Sequence, residues 1–231
     1  MESNLTRRAA LHAMAGLGAG LTAFGCGTGS ERAGPAAPPI SCVLTPEQME
    51  GPYFFDTGLL RRDITEGALG LPLRLEVWLA SVVGGACTPL AGVVVETWHA
   101  DADGVYSGYD VAAGNLRDAT GETFLRGYQV SDDRGRVEFS TIYPGWYPIR
   151  TTHIHLTVRL NSTQQITTQI YFPESINDIV MAQAPYDARG PRPTTNANDR
   201  MPLSELADLT CDVAKRGRGY RASFSFGVGG A

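Results

Sequence analysis

Residues 139–160 read FSTIYPGWYPIRTTHIHLTVRL, and the last third of that stretch decides the fold. Ile154, Leu156, Val158 and Leu160 alternate with His153, His155, Thr157 and Arg159. This period of two puts the apolar set on one face of a β-strand and the polar set on the other. Both imidazoles then share a face. Alternate positions on a strand bring two side chains close enough to grip one ion, so His-x-His is a compact donor pair for a first-row transition metal. The plainer alternative is a polar strand face with two solvated imidazoles.

The same periodicity recurs on both sides of this strand. LRLEVWLASVV (73–83), AGVVVETWHA (91–100), TFLRGYQV (123–130), RVEFSTI (136–142), TTQIYF (167–172) and RASFSFGV (221–228) are short and either alternating or continuously apolar. Gly84-Gly85, Asp132-Asp133-Arg134-Gly135 and Arg216-Gly217-Arg218-Gly219 punctuate them and predict hairpins or tight reversals. The pattern predicts an all-β domain, an antiparallel β-sandwich with long active-site loops and little helix, a barrel being the other closure of such strands. Only 176–183 reads as a short helix. Residues 99–122 and 173–202 form long loops of the kind that carry function on a rigid β scaffold. Ahead of the strands, Thr45 to Phe55 is rich in aromatic and turn-forming residues. That arm either covers a sheet edge or lines a pocket for a flat aromatic ligand.

The 231 residues are 43% apolar and 19% charged with a formal charge of −5, a composition that folds and shows no basic stripe for nucleic acid. Residues 1–26 read as an export address. Thr6-Arg7-Arg8 precedes an Ala/Gly-rich run from Ala9 to Phe24, which resembles a Tat signal and is too short to span a bilayer comfortably. The run ends at Ala23-Phe24-Gly25-Cys26, which loosely resembles a lipoprotein cleavage site and makes Cys26 a candidate for lipidation and membrane anchoring. An extracellular or cell-envelope location follows as an expectation. Residues 27–40 read as a flexible linker and 41–231 as the folded domain. Cys42, Cys87 and Cys211 then allow one disulfide and one leftover thiol, and spacing does not say which two pair.

Two tyrosines extend the histidine pair. Tyr106 follows a strong strand in Asp103-Gly-Val-Tyr-Ser107, and Tyr147 lies in Pro144-Gly-Trp-Tyr-Pro148, where two prolines stiffen the backbone just before the His-x-His strand. Two phenolates and two imidazoles would form an N2O2 set. Tyrosinate is a hard, anionic donor suited to Fe(III).

GVYS around Tyr106, PGWYP around Tyr147 and the block Arg150-Thr-Thr-His153-Ile-His155 resemble the intradiol ring-cleavage dioxygenases. The likeness runs in order from Glu50-Gly-Pro-Tyr53 to Thr168-Gln-Ile-Tyr-Phe172, and CTPLAG (87–92) and ARGPRPTTNA (188–197) are similar to stretches of exported, single-domain members. The resemblance implies a non-haem Fe(III) held by Tyr106, Tyr147, His153 and His155. It implies a small catecholic substrate cleaved with O2 between its hydroxyl-bearing carbons to a cis,cis-muconate. Tyr147 would also take a substrate proton, and Arg150 would stabilise negative charge on the substrate. Pro52, Tyr53 and Gln169 are candidates for the substrate pocket. His99 does not match an iron-binding position of the family, which implies a structural or supporting hydrogen bond for it. Only five residues separate Tyr147 from His153, fewer than in the intracellular enzymes, which implies a more open pocket. Oligomeric state stays open. The rival readings are a non-catalytic exported β-sandwich module binding aromatic or polymeric ligands, and an exported iron or copper protein without dioxygenase chemistry.

Overall fold

The computed structural model describes residues 41–200 and 203–230. The export signal with Cys26 and the linker over 27–40 lie outside the described residues. In chain order the elements are β1 (Pro72–Val83), β2 (Ala86–Pro89), β3 (Val94–Trp98), β4 (Arg126–Val130), β5 (Arg136–Ile142), β6 (His153–Arg159), β7 (Gln165–Tyr171), α1 (Glu174–Met181), α2 (Leu203–Asp208), β8 (Asp212–Arg216) and β9 (Gly219–Gly229). A single 3-10 turn, Tyr186–Arg189, lies between the helices.

Two sheets form the predicted sandwich. One runs β2-β1-β9-β8, with β5 on the first part of β1, and the other runs β4-β3-β6-β7. Strand β1 is long enough to serve two partners on one side, β5 along Pro72–Trp78 and β2 along Ala80–Val83. Among the named strands all pairings are antiparallel except β1 with β9, which runs parallel from Leu73↔Tyr220 to Val82↔Gly229. Side-chain alternation has the same period in either direction, so the pattern carried no information on this point.

The turns sort in the same way. Gly84 and Gly85, at φ +57° and +83°, close a two-residue hairpin between β1 and β2, where both positions need the left-handed region. Arg216↔Gly219 closes another between β8 and β9. The Asp132 cluster is a tight reversal, with Gly135 N–H donating to Asp132 O at 2.8 Å, but it carries the chain from one sheet to the other and pairs no hairpin. Helix α1 starts two residues before the expected 176, directly after Pro173, and buries Asn177, Val180 and Met181.

The core lies between the sheets. Leu73, Leu75, Val77 and Leu79 of β1 and Phe224, Phe226 and Val228 of β9 meet Val95 of β3 and Ile154, Leu156 and Val158 of β6. At roughly 1.5–3 kcal/mol per buried aliphatic side chain, these rows pin β6 in register, since a slip of one residue would turn the histidines into the core. The opposite face of β6 is also covered. A second apolar cluster of Tyr53, Trp98, Ala100 and Tyr106, with Phe54, Tyr109 and Tyr147 against it, lies apart from the main core.

The arm before β1 covers an edge of each sheet. Thr45 N–H donates to Gly227 O on β9 and Gln48 N–H to Thr167 O on β7, both at 2.9 Å, so the arm satisfies an edge of each sheet. A disulfide joins Cys42 at its start to Cys87 of β2, with Cα atoms 5.3 Å apart. Cys211 is the free, buried thiol.

Candidate metal centre

Strand β6 aims His153 and His155 away from the main core, and both are buried. His155 Nε2 lies 3.1 Å from His153 Nε2, Tyr147 Oη lies 3.1 Å from that same atom, and Tyr106 Oη lies 3.4 Å from it. Four donor atoms predicted from separate parts of the sequence therefore meet at one buried point. Cross-strand stacking fixes the ring of His155, whose partner Trp98 lies parallel at 4.8 Å with an interplanar angle of 8°. Tyr106 is stacked on Tyr53 of the arm at 4.5 Å.

The donor chemistry fits a cation. Thr151 O accepts from His153 Nδ1 at 2.7 Å, and a carbonyl can only accept, so the hydrogen is on Nδ1 and Nε2 offers a bare lone pair. That one lone pair faces two phenols and a second imidazole within 3.4 Å, more partners than it can accept. A cation held by all four satisfies them together. Among the described residues no group of three or more His, Cys, Asp or Glu gathers, so the set is one of imidazoles and phenols. Burial pushes Tyr147 up to about 12 and Tyr106 well above the usual phenol range. Burial likewise holds both imidazoles well below theirs, with the neighbouring Arg150 adding to the effect on His153 and His153 adding to it on His155. Without a cation the four groups are neutral, and a bound cation reverses the preference of the phenols.

The loops bearing the two tyrosines are locked to one another by glycine. Gly145 N–H donates to Asp101 O at 2.9 Å, and a Cβ on Gly145 would lie 2.2 Å from Ala102 O. Gly104 meets the same loop from the other side, where a Cβ would lie 2.1 Å from Trp146 O. Arg189 adds a clamp, donating to Trp146 O with its guanidinium 3.8 Å over the indole ring. Asn115 holds Tyr106 from behind. Its Oδ1 accepts from Tyr106 N–H at 3.0 Å, and its Nδ2 donates to Tyr106 O and Tyr109 O at 2.8 Å.

Arg150 is 9% exposed and hydrogen-bonded through Nε and Nη2. Its Nε donates to both Asp199 carboxylate oxygens at 3.2 Å, and its Nη2 donates to Gln169 Oε1 at 2.6 Å and Tyr171 Oη at 3.1 Å. Gln169 in turn donates to Met49 O of the arm at 2.9 Å. A cavity of about 510 Å³ opens beside these groups, lined by Tyr147, Arg150 and His155 together with Gly51, Pro52 and Tyr53 of the arm and with Met49, Leu116, Ile149 and Arg200. Pro52 and Tyr53 thus stand in its wall, whereas Gln169 lies behind Arg150. Tyr106 and His153 sit deeper, beyond the lining. Gly51, at φ +78°, lets the arm pass so close that a Cβ would be 3.4 Å from His155 Cε1.

His99 lies apart from the four. It is buried, with Nδ1 donating to Ala100 O at 2.8 Å and Nε2 at 2.7 Å from Thr141 Oγ1 on β5. Asn115, Asp199 and Arg200 escaped the sequence reading. No short motif carries them, although Asp199 and Arg200 lie two and three residues beyond the ARGPRPTTNA stretch.

Comparison with known proteins gives a consistent result. A family model described as Dioxygenase matches residues 49–189. A 6-chlorohydroxyquinol 1,2-dioxygenase of Cupriavidus pinatubonensis is 32% identical over 147 residues, covering 56% of this chain and 49% of that protein. The chain spans about half the length of the curated relatives it matches. Among solved structures, an intradiol ring-cleavage dioxygenase from Tetranychus urticae superimposes with a TM-score of 0.73 at 29% identity, covering 81% of this chain and 95% of that one. The dioxygenase domain of a dioxygenase carbohydrate-binding protein fusion from Streptomyces sp. SirexAA-E gives 0.60 at 31% identity, covering 82% of this chain and 100% of that one.

Proposed function

Because the chain belongs to the intradiol ring-cleavage dioxygenase family, we propose that it opens the ring of a catechol between the two hydroxyl-bearing carbons, using O2 and a non-haem Fe(III). Tyr106, Tyr147, His153 and His155 would hold the iron. The observation that carries this reading is the meeting of two phenol oxygens and the Nε2 of His155 around His153 Nε2, within 3.4 Å, beside a cavity. Bound there, Fe(III) would supply a Lewis-acidic centre that the diol can chelate and that withdraws electron density from the ring, leaving the ring reactive toward O2, both of whose oxygen atoms end in the cis,cis-muconate product.

The residues around it have their own tasks. Tyr147 borders the cavity, so its oxygen, ionised by the bound cation, would stand where a proton of the diol can be taken up. Tyr106 lies deeper, held by Asn115 and capped by Tyr53, and keeps its place while Tyr147 moves a proton. Arg150 keeps a fixed positive charge at the cavity wall, where negative charge on the ring-opening substrate is stabilised without any rearrangement of the guanidinium. The apolar arm and the Tyr147–Arg150 segment exclude water, which strengthens that attraction.

The purified, iron-loaded protein is expected to be red to burgundy from tyrosinate-to-Fe(III) charge transfer, with a band that shifts on adding catechol. Colourless protein that retains no iron after export-competent expression would sink the proposal. Tyr147→Phe and His155→Ala are expected to lose most ring cleavage, and His99→Gln to keep the iron spectrum. Equal loss of iron in the His99 variant would overturn the ligand assignment. We also propose export through the twin-arginine signal, supported by the Cys42–Cys87 bridge, since such bridges persist in oxidising compartments. Fatty-acid labelling of Cys26 tests the anchoring.

A further inference from the structure

We propose that the diol taken by this site carries an extended apolar substituent ending in a carboxylate, an inference that rests on the ring-cleavage function proposed above. Three features of the cavity point to it. The first is size. At about 510 Å³ the cavity falls in the range that encloses a drug-sized ligand, and a single six-membered ring leaves most of it empty.

The second is the apolar mouth. Met49, Leu116 and Ile149 are 65%, 42% and 57% exposed, and all three line this same cavity from three different segments of the chain. Water-facing apolar side chains gathered on one opening mark a surface that is covered when a ligand binds. Ile149 is held there against its own preference. Its φ is +69°, the left-handed region, where a β-branched residue is a true outlier. The Tyr147↔Arg150 pairing that brackets it imposes this conformation. A glycine would sit in that turn without strain, so an isoleucine there is explained by what its side chain touches in the cavity.

The third is charge. Arg150 is committed to Asp199, Gln169 and Tyr171, but Arg200 lines the cavity, is exposed, and has no hydrogen bond or ion pair among the described residues. Its planar fork matches a carboxylate. An apolar tail running from the diol past Leu116 and Ile149 would bring a terminal carboxylate to Arg200, which lines the same cavity.

The test compares catechol, 4-propylcatechol and 3-(3,4-dihydroxyphenyl)propanoate with iron-loaded wild type, Ile149→Gly and Arg200→Gln. The readout is the ratio of kcat/KM between substrates within one variant, so that any general change in activity cancels. Wild type should prefer both tailed substrates over catechol and the propanoate most. Ile149→Gly should lower the ratio of either tailed substrate to catechol about five- to tenfold while raising the melting temperature. Arg200→Gln should lower only the propanoate-to-propylcatechol ratio, about three- to fivefold, the modest size expected of a solvent-facing ion pair, and the difference should shrink as salt is raised. Preference for bare catechol, or ratios that neither variant moves, overturns the inference. If wild type cleaves none of the three, the ring-cleavage proposal fails on its own. Calorimetric binding of the propanoate and the propylcatechol to the same variants then still decides the tail and its charge.

Discussion

Gly145 lies where the two tyrosine-bearing loops touch, and replacing it with alanine reads out how the donor set is held. The new Cβ would stand 2.2 Å from Ala102 O and 2.5 Å from Asp101 O, so the two backbones must part by nearly an ångström. Gly145 is not among the residues at positive φ, so alanine can adopt its conformation and crowding is the whole effect. Overpacking of this kind costs about 1–3 kcal/mol, and about 0.4–1 kcal/mol returns through the stiffer unfolded chain. A net loss of about 1–2 kcal/mol lowers Tm by about 2–8 °C in a domain of this size. The effect on chemistry is larger, because displacing a reacting group by about 1 Å costs on the order of 10²-fold in rate. Calorimetry gives the first number, and the absorbance of the ring-opened product, with the charge-transfer band, gives the second. Gly58→Ala is the control. At φ +62° with nothing within 4 Å of a Cβ, it should cost about 1 kcal/mol of backbone strain and leave the rate alone. Wild-type rate and spectrum in Gly145→Ala, or equal loss in Gly58→Ala, would refute the idea that these loops position Tyr106 against Tyr147.

Replacing Cys42 and Cys87 together by serine opens a link spanning 45 residues, which should cost about 4 kcal/mol and lower Tm by roughly 8–16 °C; an unchanged Tm would mean the arm is held by its backbone contacts alone. Burial lowers His99 to about 4, below its unfolded value, so its contribution to stability is complete above about pH 6.5 and fades as pH falls toward 4. Between pH 8 and pH 5 that loss is about 2 kcal/mol. His99→Gln should flatten the pH dependence of Tm over this interval, and an identical slope in the variant would show that His99 is not the group responsible. Arg150→Lys keeps a positive charge but cannot serve Asp199, Gln169 and Tyr171 from one planar fork. The expected result is a fall in kcat of about 10²-fold with little change in KM, and retention of kcat within threefold would remove the charge-stabilising role.

The sandwich and the shared face of His153 and His155 were legible in the sequence for a common reason: both are written in local patterns. Alternation over 153–160 places Ile154, Leu156 and Val158 in the core and the two histidines opposite, and the structure reproduces it residue by residue. The Gly84-Gly85 hairpin is legible for the same reason, since two left-handed residues in a row suit little else. Illegible features are those set by partners distant in the chain. The parallel run of β9 beside β1, the crossing at Asp132 and the choice of Cys87 by Cys42 depend on where strands far apart in sequence are laid down. Asn115 and Asp199 are single polar residues in loops, and their roles emerge only once Tyr106 and Arg150 are beside them.

Strand β6 separates two kinds of constraint by a single peptide unit. Its even-numbered residues from Ile154 to Val158 answer to the interior shared with β1 and β9, and its odd-numbered histidines answer to the chamber on the other side. Met49, Leu116 and Ile149, which shape the chamber, are exposed and are not members of that interior cluster. A lineage built on this scaffold can therefore vary the compounds it accepts without repacking the interior between the sheets, because the strand that carries the two histidines is anchored from behind.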